Sequence, residues 1–65
     1  MDRRISPPEE WPNGVIEAVR GSVVDVRFER SLPPIHTLLK TGSEYQVSVE
    51  VLGQLDARVV RGIAL

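Results

Sequence analysis

Asp25 and Glu50 are carboxylates that could be paired for acid–base work, and His36 and Lys40 are the single histidine and the single lysine of the chain. A general acid and base need two titratable groups held on either side of a reacting bond. Asp25 and Glu50, however, each alternate with apolar residues (Val24 and Val26; Val49 and Val51), which puts them on the watered side of a strand. Carboxylates there usually solvate a sheet. Lys40 does not follow the second glycine of a GxxxxGK[ST] loop, so no phosphate cradle is present. His36 follows Leu32-Pro33-Pro34-Ile35 in a connection and has no serine–aspartate constellation around it in the pattern, so it reads as a solvated or packing residue. With no cysteine and one histidine, a closed zinc site and a disulfide framework are both excluded. The sequence therefore assigns no catalytic, cofactor-binding or metal-binding residue.

The bulk properties narrow the remaining classes. The 65 residues carry 8 Lys+Arg against 9 Asp+Glu, a formal net charge of −1, so the basic excess of a nucleic-acid binder is missing. Trp11, Phe28 and Tyr45 are too few for a base-stacking platform. No apolar run is long enough to cross a membrane as a helix, and the N-terminus MDRRISPPEEW lacks the apolar core of a signal peptide. The chain reads as soluble and intracellular. It is also short enough for one small domain that buries only roughly 60% of its unfolded surface.

The elements that must position these residues follow from periodicity. Residues 1–12 hold three of the five prolines and read as a flexible tail, in which only Trp11 would gain from docking. Gly14 and Gly21 bracket a first strand over residues 15–20. A second strand over residues 23–29 sets Val24, Val26 and Phe28 on one face and Asp25, Arg27 and Glu29 on the other. A turn at Gly21-Ser22 joins the two as a hairpin. After the Leu32-Pro33-Pro34 corner, Ile35, Leu38 and Leu39 recur at i, i+3 and i+4, which predicts a short helical turn over residues 35–40 ended by Gly42. Residues 44–52 form a third strand with Tyr45, Val47, Val49 and Val51 on one face, and residues 53–57 form a turn. A fourth strand spans residues 58–65, with Val59, Ile63 and Leu65 alternating and Gly62 admitting a close backbone approach or a bulge. Asp25/Arg61 and Glu50/Arg58 are the expected cross-strand ion pairs. Because this last strand runs apolar to Leu65, the pattern predicts an open strand edge there and a chain cut from a longer protein. The fold class is all-β, a small antiparallel barrel.

Three blocks carry a resemblance to a known family. They are Gly14-Val15-Ile16 with Val19 and residues 21–28; Leu32-Pro33-Pro34-Ile35 with Leu38-Leu39; and Val49-Glu50-Val51 with Leu55 and Val59-Val60-Arg61-Gly62-Ile63-Ala64-Leu65. In this order they resemble the N-terminal β-barrel domain of the F-type ATP synthase β subunit, over residues 13–65. His36, where the family often has tyrosine, and the turn Gly53-Gln54-Leu55-Asp56-Ala57 point to a divergent or alternative-branch member.

The resemblance implies a crown domain truncated at its C-terminus, carrying about four strands of a six-stranded barrel. It implies α-subunit barrels as partners on either side in a hexameric ring, and a structural, subunit-assembly role. In the parent enzyme ATP or ADP with Mg2+ binds in a downstream domain, and ATP synthesis or hydrolysis is coupled to proton or sodium transport. The parent lies peripherally on the cytoplasmic side of a membrane; no nucleic acid and no direct membrane insertion are implied. A rival reading, an OB- or SH3-like barrel that binds nucleic acid or peptide, is disfavoured by the acidic balance. An open edge would let the isolated chain self-associate.

Overall fold

A computed structural model describes residues 4–5 and 14–65. Six strands make one antiparallel sheet: β1 (Arg4–Ile5), β2 (Gly14–Arg20), β3 (Val23–Arg27), β4 (Leu38–Thr41), β5 (Val47–Gln54) and β6 (Val59–Ala64). Their spatial order is β1-β2-β3-β6-β5-β4. The two ends of this order, β1 and β4, have Cα atoms within 8 Å of each other, so the sheet curls round towards a barrel. The all-β expectation is borne out, and no helix occurs among the described residues. Of the tail, Arg4–Ile5 pairs with Gly14 and Val15; Trp11 and the remainder lie outside the described residues.

The core follows from alternation. Val24, Val26 and Phe28 point inward from β3 and its continuation, and meet Val49 and Val51 of β5, Val60 of β6 and Leu39 of β4. Ile16, Leu32 and Ala64 close its margins. The hairpin between β2 and β3 turns at Gly21-Ser22, as the sequence predicts. Gly21 has φ 60° and Arg20 lies opposite Val23, the arrangement of a two-residue loop with glycine first. An irregularity at Glu17, between Ile16 and Ala18, kinks β2.

Four expectations are corrected. Residues 35–40 form no helical turn. Thr37 N–H bonds the Pro34 carbonyl at 3.2 Å in a β-turn, His36 takes φ 76°, and Leu38–Thr41 is a strand with an exposed–buried–exposed–buried pattern. The backbone there finds partners on β5 (His36 N–H to Val51 O, 2.7 Å; Val51 N–H to Thr37 O, 2.9 Å), which a one-turn helix cannot match, because helix nucleation fixes several residues for one bond. Residues 44–46 belong to a turn, with Tyr45 exposed at φ 55°, and the strand begins at Val47. On β6 the core-facing row is Val60, Gly62 and Ala64, one residue out of phase with the Val59–Ile63–Leu65 reading; the double-valine pair fits either phase, and Gly62 decides it.

The fourth correction concerns the edge. β6 lies in the middle of the sheet, bonded to β3 on one side and β5 on the other, so no open edge exists along it. Among the described residues there are six strands where about four were expected, and with β6 paired on both sides self-association through a β6 edge is ruled out.

Gly62 is what lets β6 fit. A Cβ built there would stand 2.5 Å from the Glu50 carbonyl oxygen and 2.8 Å from Val49 Cγ1. Gly53, by contrast, has nothing within 4 Å of such an atom. Gly62→Ala is expected to destabilise the chain by about 1–3 kcal/mol, the usual cost of an overpacked core. At this size each kcal/mol lowers the melting temperature by roughly 4–8 °C. Gly53→Ala should shift it little. Thermal melts of both variants followed by circular dichroism check this, and equal shifts would contradict it.

Candidate functional site: the outer face of the sheet

Residues directly opposite on neighbouring strands share a face. On the side away from the core, Leu38, Glu50, Ile63, Val23 and Arg20 form one row across β4, β5, β6, β3 and β2. A second row holds Gly53, Arg61, Asp25 and Ala18, and a third holds Val59, Arg27 and Val15. The adjacent valine pairs split between the two sides: Val24 and Val60 enter the core, Val23 is half-buried on the outer side, and Val59, on the outer side by register, is nearly fully buried within the chain.

Asp25 and Arg61 stand opposite each other in register, as the sequence predicts, and form a two-pronged ion pair. Arg61 Nε donates to Asp25 Oδ1 at 2.8 Å and Nη2 donates to Oδ2 at 3.0 Å. Asp25 is buried, although its alternation suggested a wet position, because the Arg61 side chain and the flanking strands cover it. The hydrogen bonds from Arg61 hold the Asp25 carboxyl below the usual carboxylate range; burial opposes this, and the charges of Arg61 and Arg20 assist it. The same hydrogen bonds raise Arg61, and a 2.7 Å bond to Glu17 raises Arg27.

The expected Glu50/Arg58 pair does not form. The ladder sets Glu50 opposite Ile63, and Arg58 lies beyond its end, where its guanidinium donates to the Glu29 carbonyl at 2.8 Å. Glu50 instead meets His36 Nδ1 at 3.0 Å, and Lys40 donates to Ser48 Oγ. Asp56 Oδ1 accepts from the backbone of Arg58 and Val59 at 2.7 and 2.9 Å, closing the β5–β6 turn. Sequence reasoning missed this cap, although an aspartate two residues before its backbone donor is the signal of an Asx turn.

The other singled-out residues are structural. Gly14 is buried at the start of β2, Pro33 is buried and Leu32 half-buried at the corner, and Pro34 and Ile35 are exposed in the β-turn. Phe28 is fully buried and Val59 nearly so. Among the described residues no group of three or more His, Asp or Glu side chains gathers as a metal site, and no helix is long and apolar enough to cross a membrane. The face mixes apolar groups with paired charges: Asp25 with Arg61, Glu17 with Arg27 and Glu50 with His36.

Comparison with known proteins adds the following. The chain is 65% identical over 52 residues, 80% of its length, to ATP synthase subunit beta 2 of Chlorobium luteolum. It is 66% identical over 55 residues to ATP synthase subunit beta 1 of Psychromonas ingrahamii. Over all 65 residues it is 49% identical to ATP synthase subunit beta 2 of Shewanella frigidimarina. The chain spans 11% to 13% of the length of these relatives. No protein-family model and no solved structure matches it.

Asp25 yields a pH prediction. Its folded-state pKa is lowered, so its contribution is complete above the unfolded value of about 3.9 and disappears as pH falls through the lower folded value. Asp25→Asn should therefore be less stable than the parent chain near neutral pH, with the gap closing below about pH 4. Urea melts across that range measure it, and a gap that persists in acid would show that the pair does not act through its charge.

Proposed function

We infer the function of this chain from its family: over the residues it shares with them it belongs to the ATP synthase β subunits. In our reading it is the N-terminal, crown-forming barrel of such a subunit, with residues 13–65 as the domain. Its role is assembly: it holds neighbouring subunits, α-subunit barrels on either side, in a closed hexameric ring. The chemistry of the whole protein, synthesis or hydrolysis of ATP coupled to proton or sodium transport on the cytoplasmic side of a membrane, belongs to segments outside this chain. ATP or ADP and Mg2+ would bind there.

The identity of 49% to 66% with β subunits carries this reading. Exposed Val15 and Val19 and half-buried Val23 support it, since a barrel seated between neighbours needs apolar groups on both sides of its sheet, and a ring interface supplies burial that a small domain lacks. Nothing in the outer face resembles a phosphate cradle: Arg61 is committed to Asp25 and Arg27 to Glu17.

Two measurements test it. Calorimetry of the chain with MgATP should show no heat of binding, and micromolar affinity would overturn a purely assembling role. Replacing the matching segment of a relative's β subunit with this chain should preserve co-assembly with its α subunit, read by native mass spectrometry. A folded chimera that no longer assembles would overturn the reading.

A further inference from the structure

We propose that this chain binds further copies of itself head to tail, the β4–β5 flank of one copy seating against the β2 flank of the next. The observation is where the exposed apolar side chains of the sheet lie. Val15 and Val19 on β2 are 46% and 59% exposed. Leu38 on β4, Leu52 on β5 and Ile35 in the turn before β4 are 49%, 49% and 54% exposed. β3 and β6, between these groups, carry no exposed large apolar residue. In the strand order β1-β2-β3-β6-β5-β4, curled so that β1 meets β4, β2 and β5 stand on opposite sides. Each copy therefore has two apolar flanks facing away from each other.

The charges on the flanks identify the occupant. β2, β4 and β5 carry four charged side chains: Glu17, Arg20, Lys40 and Glu50. Glu17 is bonded to Arg27, and Lys40 donates to Ser48. Arg20 is exposed and makes no hydrogen bond or ion pair among the described residues. Glu50 holds His36 at Oε2, which leaves Oε1 to accept a second donor. One flank thus presents an unpaired cation and the opposite flank a carboxylate with spare capacity. Arg20 adjoins exposed Val19, and Glu50 stands opposite exposed Leu38, so each charge lies beside apolar surface. A second copy supplies what both flanks lack: its Arg20 meets Glu50 while its β2 valines cover the leucines of β4 and β5.

A contact between unlike patches is heterologous, and it continues from copy to copy unless the rotation between neighbours closes a ring. Its strength follows from its size. A flank bounded by the 27 and 19 Å extents of the chain offers at most about 500 Å2, so each contact buries less than the roughly 1,200 Å2 lower end of stable interfaces. Association is therefore weak, dependent on concentration and, with a charge pair in each contact, weakened by salt. This inference does not rest on the family reading: self-association can fail while co-assembly with an α subunit succeeds.

Sedimentation equilibrium of the full chain tests it. At about 3 mM and low salt the weight-average mass should exceed that of a dimer, and it should fall to the monomer by about 10 μM. Arg20→Glu alone sets glutamate against Glu50, and Glu50→Arg alone sets arginine against Arg20. Each should weaken association at least tenfold. An equal mixture of the two variants pairs arginine with glutamate at every contact and should associate as well as the parent. Leu52→Ser, which alters neither charge, should weaken association at least threefold. Circular dichroism confirms that the variants keep the fold, as positions outside the core allow. A parent chain that stays monomeric at 3 mM overturns the proposal, and so does growth that stops at two copies. A mixture no better than its components, or a Leu52→Ser chain that associates like the parent, overturns it as well.

Discussion

The close approach of β6 to β5 at Gly62 is the constraint on which the sheet depends. β2–β3 and β4–β5 are hairpins made by residues near each other in sequence, and neither bonds directly to the other. β6, the last strand, bridges them, bonding to Val23–Arg27 on one side and to β5 on the other. Without it the core divides: Val24, Val26 and Phe28 on one hairpin lose Val49, Val51 and Leu39 on the other. The β3–β6 pair joins residues 36 apart at Asp25 and Arg61, a non-local contact of the kind whose loop closure must be met before the pairing rewards it.

What fixes β6 in register is distributed between its two faces. A one-residue slip would turn Val60 outward and drive Arg61 into the core. A two-residue slip keeps the faces but alters the charges. In one direction it sets Arg27 opposite Arg61, and in the other it leaves Asp25 opposite Val59. Only the observed pairing joins Asp25 to Arg61 with two hydrogen bonds while placing Gly62 where the chains nearly touch. The ion pair and the glycine therefore specify the same alignment by independent means, one electrostatic and one steric.

This division explains what was legible in the sequence. Val24, Val26 and Phe28 alternate over a long enough run to declare both the strand and its buried face, and Gly21-Ser22 declares the turn. Asp25/Arg61 was legible from opposite charge on neighbouring strands although only β3 was in phase; β6 was read one residue out, which would have turned Arg61 to the other side. The failures occur where local pattern is short and a partner strand decides. Ile35, Leu38 and Leu39 fit a helical turn as well as they fit a strand edge, until β5 supplies the hydrogen bonds. The place of β6 was invisible because strand order is a property of pairing, and a run that ends apolar looks like an edge unless its two neighbours are known. The outer face was hardest to read, since its rows join residues from up to five strands and exist only through the register.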